Sequence, residues 1–375
     1  MSKFKTEKRI KAVCLIMLLL ITCIPNVVTA AKLDKDEIVL VKSDKEYELD
    51  FGDKDQKAVQ NFYVGNSYIY TTQRYKYNDA QDYNYVKITK FNIVNKKPQK
   101  AINPNGTPEE MWIKYAGHGQ TLEVYEHKGK VYILTSLWAN KNYDEQWSLE
   151  IGRVEFVSNT KETAVLANEL KRFFGIEYAN PKRKNFGVMQ RTDAAVSQDN
   201  STILIWKRNE DEENEFSAYN FKKFNEILDG TTEYGKYTRF NFKNIPANKS
   251  WLKFSFNDVN GGDSIPKSIQ GLEVSDEGDN GKHSIYIVSG NEGKKDSPNR
   301  IYRFNSDGKR KNKKIINSKE NKVFNKPMEI EGIHVAPGNK LRFLLVESDY
   351  LNGIKHKNAN KSKQYIFSVN KRYLK

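Results

Sequence analysis

The chain has 375 residues, a formal net charge of +15 and 12% aromatic residues, with 21 Tyr and 19 Phe. Its two cysteines, Cys14 and Cys23, both lie within the first thirty residues, so a chain cleaved after Ala30 has neither disulfides nor thiol chemistry. Losing the five basic residues and one acidic residue of that segment leaves a charge of +11, which favours anionic polymers or lipid headgroups as partners, while the scattered acids argue against a dedicated nucleic-acid groove.

In chain order, Lys3, Lys5, Lys8, Arg9 and Lys11 precede an apolar run from Ala12 to Ile24, and Val28-Thr-Ala30 supplies the small residues of a signal-peptidase site. The run is too short, and too soon interrupted by Pro25, for a membrane span. Residues 1–30 therefore read as a secretion signal, 31–49 as an N-terminal extension and 50–375 as a single domain.

Within that domain a short pattern recurs five times: Gln56-Lys-Ala-Val, Gln120-Thr-Leu-Glu-Val, Asp193-Ala-Ala-Val, Gln270-Gly-Leu-Glu-Val and Glu331-Gly-Ile-His-Val. Each is followed, after a polar or glycine-bearing gap, by a strand signal: Tyr68-Ile-Tyr, Val131-Tyr-Ile-Leu, Ile203-Leu-Ile-Trp, Ile285-Tyr-Ile-Val and Leu341-Arg-Phe-Leu-Leu. The polar anchors are 64, 73, 77 and 61 residues apart, a repeat with irregular loops. Strands are predicted over 121–127, 130–137 and 149–156 in the second unit, 271–274, 284–289 and 300–304 in the fourth, and 331–335, 340–347 and 364–369 in the fifth. Each unit ends in an aromatic strand, over 85–91, 151–156, 216–221, 301–304 and 365–369. Closing five small sheets into a ring protects their edges, which predicts an all-β chain forming a five-bladed β-propeller with irregular loop insertions. Glu162 to Phe174 is the best helix candidate, through Val165, Leu166, Leu170 and Phe173, or else a loop with one outer strand. Pro181-Lys-Arg-Lys and Lys309 to Lys314 read as solvated basic loops.

Several stretches resemble, in family order, the helveticin J-like large bacteriocins. They are Tyr115-Ala-Gly-His-Gly-Gln-Thr-Leu-Glu123, Ile151-Gly-Arg-Val-Glu155, Thr192-Asp-Ala-Ala-Val-Ser197, Ser268-Ile-Gln-Gly-Leu-Glu273 with Ser284-Ile-Tyr-Ile-Val-Ser289, and Glu329-Ile-Glu-Gly-Ile-His334. The resemblance implies a propeller-like fold and secreted antibacterial activity against related Gram-positive bacteria, without an active-site constellation to transfer.

If each anchor opens an innermost strand, Gln56, Gln120, Asp193, Gln270 and Glu331 converge on the axis as a polar ring, for structural hydrogen bonding, for water or a small ligand, or for a cation. His118, between Gly117 and Gly119, is the candidate mouth residue. Arg183, Lys184, Arg310, Lys311 and Lys313 are the candidate envelope-binding patch. Trp206 reads as core and Trp147 as an exposed platform. No Gly-x-Ser-x-Gly elbow or His-Glu-x-x-His motif is present, so no catalytic residue, metal or cofactor is assigned. The expected partner is an envelope component or glycan of Gram-positive bacteria, with peripheral membrane contact compatible with the charge. The rival readings are a carbohydrate-binding or adhesion propeller and, behind it, a cell-wall hydrolase.

Overall fold

Alternating apolar and polar positions make each unit a half-buried antiparallel sheet. The computed structural model describes residues 43–52, 57–76, 84–230, 233–234, 237–245, 251–257, 269–278, 281–290, 298–308, 310–315, 327–351, 354–355 and 361–374. Residues 1–30, expected to be a secretion signal, and Gln56 lie outside the described residues. Blade 1 runs outward through Val59–Val64, Tyr68–Lys76, Asn84–Val94 and Glu110–Lys114. Blade 2 begins Leu122–His127, Lys130–Ala139, Ser148–Glu155 and Lys171–Phe174, and blade 3 is Met189–Val196, Thr202–Asn209, Asn214–Asn220 and Leu252–Asn257. Blade 4 is Gly271–Val274, Ser284–Ser289, Arg300–Asn305 and Arg310–Ile315. Blade 5 is Met328–Ala336, Lys340–Glu347 and Lys363–Asn370, completed by Asp44–Asp50 from the other end of the chain.

The five apolar cores are the five joints between consecutive blades. Val86, Ile88 and Met111 meet Leu122, Ile133 and Leu137 between blades 1 and 2. Ile151 and Phe173 meet Ala194 and Ile205 between blades 2 and 3, and Leu204 and Trp206 meet Leu272 and Ile285 between 3 and 4. Val288 and Ile301 meet Ile333 and Phe343 between 4 and 5. Leu344 and Ile366 meet Phe62 and Ile69 between 5 and 1, which closes the ring. The predicted five-bladed propeller is the observed fold.

Four elements differ from the sequence reading. Asp44–Asp50, placed in the extension, is the outermost strand of blade 5. Over 162–174 the helix alternative gives way to one closer to the loop with an outer strand: a two-residue strand, a 3-10 turn at Ala167–Glu169 and the strand Lys171–Phe174, in which Arg172 and Phe173 satisfy their backbone against blade 2. The α-helix is Phe221–Gly230, which buries Phe221, Phe224 and Leu228 on one face. It is capped by the Asn220 side chain, which accepts from the Lys223 N–H. The basic run 310–315 is not a loop but the outermost strand of blade 4, so Arg310, Lys311 and Lys313 lie in a sheet edge.

Candidate functional site

The inner strands align on a shared valine: Val64, Val124, Val196, Val274 and Val335 pair with Ile69, Ile133, Ile203, Ile285 and Leu341 of the next strand. Gln120, Gln270 and Glu331 stand four residues before it. In blade 1 that place belongs to Gln60, which sits, like Glu331, at a break in strand register. In blade 3 it belongs to Thr192, with Asp193 one step further on. Gln60-Asn-Phe-Tyr-Val64 is thus the blade-1 repeat.

Four of the five sequence-predicted anchors meet in one axial layer. Gln120 Nε2 donates to Gln270 Oε1 at 3.0 Å, and Gln270 Nε2 donates to Glu329 Oε1 at 3.0 Å. Arg191 donates to Asp193 Oδ2 at 2.8 Å and to Gln120 Oε1, while Thr121 donates to the other oxygen of Asp193 at 3.2 Å. Glu331 is buried in the same layer, its carboxyl pushed well above the usual range by burial and by Glu329. One of its oxygens, Oε2, has no hydrogen-bond partner among the described residues.

His118 lies on the face where the inner strands begin. Its ring stacks on Trp147 at 4.2 Å, and the Arg191 guanidinium covers Trp147 at 3.9 Å. Nδ1 of His118 is 2.8 Å from the Glu145 carbonyl and 3.2 Å from Arg74. Burial pulls the Arg74 guanidinium down to about 10. Trp147 is therefore packed against the His118 ring and the Arg191 guanidinium, not an open platform, and the exposed tryptophan is Trp138 at 41%. Trp206 is core, as read. Arg183 is spent on the fold: it donates to the Asn180 and Ile245 carbonyls and to the Tyr219 hydroxyl. Lys184 beside it is exposed.

At the opposite end of the inner strands is a cavity of about 290 Å³ that the sequence reading did not single out. The residue before each shared valine supplies its floor: Tyr63, Glu123, Glu273 and His334. The matching residue of blade 3 is Ala195, whose small side chain lets Glu123 and Glu273, from blades 2 and 4, meet across the axis. Glu123 accepts the Val196 N–H at 3.1 Å, Glu273 accepts the Val335 N–H at 3.3 Å, and the two carboxyls hydrogen-bond each other. Burial pushes both acids well above the ordinary range, and the facing Glu273 carboxylate raises Glu123 further. Both carboxyls are therefore held toward the protonated form. Burial pushes His334 down to about 3, helped by Arg342 and Lys371. Its Nδ1, 3.7 Å from Glu273 Oε1, thus belongs to a neutral imidazole rather than to an ion pair. The Tyr63 ring lies 4.9 Å from that imidazole. Exposed Asn66, Gln198, Asn200 and Pro337 line the opening. Among the described residues no cluster of three His, Cys, Asp or Glu could hold a metal, and no helix is long and apolar enough to cross a membrane.

These features define a five-bladed β-propeller, closed by its own first strand, with a polar axial layer and a small acidic mouth cavity. The family model for bacteriocin helveticin-J matches residues 37–372, so the chain belongs to the helveticin J family of bacteriocins. No curated protein matches it by sequence. Among solved structures it is similar to the tail fibre of Staphylococcus aureus phage P68, at 12% identity and a TM-score of 0.50, over 88% of this chain and 53% of that one. An exo-β-1,3-galactanase from Phanerochaete chrysosporium matches at 11% identity and a TM-score of 0.42, over 87% of this chain and 63% of that one. The chain thus spans about half to three fifths of these two proteins, and at such identities the likeness is one of fold.

Proposed function

We propose that the protein is a secreted antibacterial protein that binds the envelope of related Gram-positive bacteria and inhibits or kills them without hydrolysing peptidoglycan. The observation that carries this reading is the family match, which runs from residue 37 to 372 and so takes in every blade. Charge supports it: an excess of basic residues is drawn to an anionic envelope over a range set by salt. Against hydrolysis stands the geometry of the axial acids. A glycosidase keeps its two carboxyls about 5 Å or more apart to flank a scissile bond, whereas Glu123 and Glu273 hydrogen-bond each other directly.

The test is a viability panel of related Gram-positive species treated with purified protein cleaved after residue 30, read with membrane potential and release of soluble wall fragments. Growth inhibition without wall fragments is expected. Failure to inhibit any strain, or fragment release in step with killing, overturns the reading. Replacing Arg310, Lys311 and Lys313 together by Gln should weaken early association with cells at low salt; unchanged association removes that strand from the binding surface.

A further inference from the structure

We propose that the mouth cavity binds a small primary ammonium group, with Glu123 and Glu273 as its counter-charges and the Tyr63 ring and His334 as its aromatic wall. The proposal rests on the envelope-binding reading only for the natural source of the ammonium; the cavity itself is tested with purified compounds.

Four observations converge. First, two acids from non-adjacent blades are brought face to face at the bottom of an opening of about 290 Å³, near the lower end for sites that take small organic molecules and far larger than a bare ion needs. Second, a buried acid pair is costly to fold around, and strongly perturbed acids lining a cavity are the arrangement that functional sites use. Third, an ammonium presents three N–H donors, and the floor presents three acceptor groups: the two carboxyls and the neutral imidazole of His334, which keeps one ring nitrogen unprotonated. Fourth, Tyr63, packed against His334, lines the same cavity and puts an aromatic ring beside the acids, the kind of surface that attracts a cation. A divalent metal is disfavoured, since it requires six or more oxygen ligands at fixed short range and no metal cluster is present among the described residues.

Proton balance gives the site a signature. Both acids of the empty site are held toward the protonated form; an ammonium brings one positive charge that favours their ionised form, and the proton displaced from the pair leaves to solvent. Affinity should therefore rise with pH by up to about tenfold per unit until the pair is ionised in the free protein. The groups that face this titration are Tyr63 from blade 1, Glu123 from blade 2, Glu273 from blade 4 and His334 from blade 5. Lys371 acts on Glu273 from the carboxyl-terminal turn, and Arg342 acts on His334.

The experiment is calorimetric titration of the purified protein with ethanolamine, N-acetylethanolamine, glucosamine and calcium chloride, repeated in buffers of different ionisation enthalpy. Ethanolamine should bind at least about tenfold more tightly than its N-acetyl derivative, with release of one proton per ligand. Tighter binding of glucosamine would assign the natural ligand to an amino sugar, and tighter binding of ethanolamine to a lipid headgroup. Glu123→Gln and Glu273→Gln should each weaken binding about tenfold while retaining the wild-type melting transition. Equal binding of the acetylated compound, no binding of either amine, no proton release, or calcium binding more tightly than the amines each overturns the proposal. The proton count needs no variant, so the test survives if a substituted chain misfolds. Binding without any killing would leave this site standing and remove only the antibacterial reading.

Discussion

The two ends of the inner strands solve the same problem in opposite ways. At the starting end, Gln120, Arg191, Asp193, Gln270 and Glu329 spend their polar atoms on one another, and Arg191 is covered by Trp147. At the finishing end, Glu123 and Glu273 are held toward the protonated form and His334 stays neutral beneath an opening to solvent. Both layers are built from the same few positions of one repeat. Where amides and an arginine stand among the acids the layer is largely closed on itself, with only Glu331 Oε2 left without a partner among the described residues; at the other end two acids face each other beneath an opening.

The sharpest way to break this contrast is to unlock the first layer. Arg191→Met leaves Asp193 and Glu331 buried without their cation and should cost about 3–5 kcal/mol, measured by urea unfolding. A loss below about 1 kcal/mol would show that the amides alone hold the layer. His334→Gln gives the next largest effect. The folded imidazole titrates near about 3, while the unfolded one takes its proton near 6.5. Its contribution is therefore present above pH 6.5 and is lost as pH falls toward 3. Removing it should improve stability relative to the wild type by about 2 kcal/mol on going from pH 7 to pH 5; parallel curves would mean that the imidazole is protonated in the folded cavity. The smallest effect belongs to Glu123→Gln combined with Glu273→Gln. Both acids are raised in the folded chain, so the wild type is stabilised below about pH 4.5 and loses that contribution as pH rises through the folded values. The double variant should gain on the wild type as pH rises from 5 to 8. A difference independent of pH would deny that the acids are held toward the protonated form. The two titrations run in opposite directions, so stability should peak between them.

How much of this was legible depended on how each residue's role is encoded. In blades 2, 4 and 5 the polar anchor, the apolar position and the valine are all present, and the strands over 271–274, 284–289 and 340–347 fall where the alternation put them. Blade 1 is displaced in the sequence reading because Gln56-Lys-Ala-Val mimics the pattern, while the true repeat ends in Tyr63-Val64, an aromatic where blades 2 and 4 carry an acid. The helix at Phe221–Gly230 was hidden because Phe216 to Phe221 reads as one aromatic strand, and only the Asn220 cap marks the change. Val165, Leu166, Leu170 and Phe173 share a helical spacing, yet Val165 and Leu166 pair with the edge of blade 1 and Phe173 with blade 2, which decides for strand. The Glu123–Glu273 pair was in plain view as two copies of Leu-Glu-Val. Their meeting across the axis depends on ring closure and on Ala195, neither of which is written in local periodicity. Arg183 shows the converse: a basic run predicts charge at a surface, but the backbone carbonyls around it claim the guanidinium.

The pairing of Asp44–Asp50 with Lys363–Asn370 has a kinetic consequence. The outermost strand of blade 5 is the first to be synthesised and its partner is almost the last, so the joint that completes the circle has the longest sequence separation in the molecule. Loop closure on that scale is slow, and until it occurs Lys363–Asn370 presents a bare hydrogen-bonding edge to other chains. Removing either Asp44–Asp50 or Lys363–Asn370 should therefore favour association between chains, even where every joint between the other blades is intact.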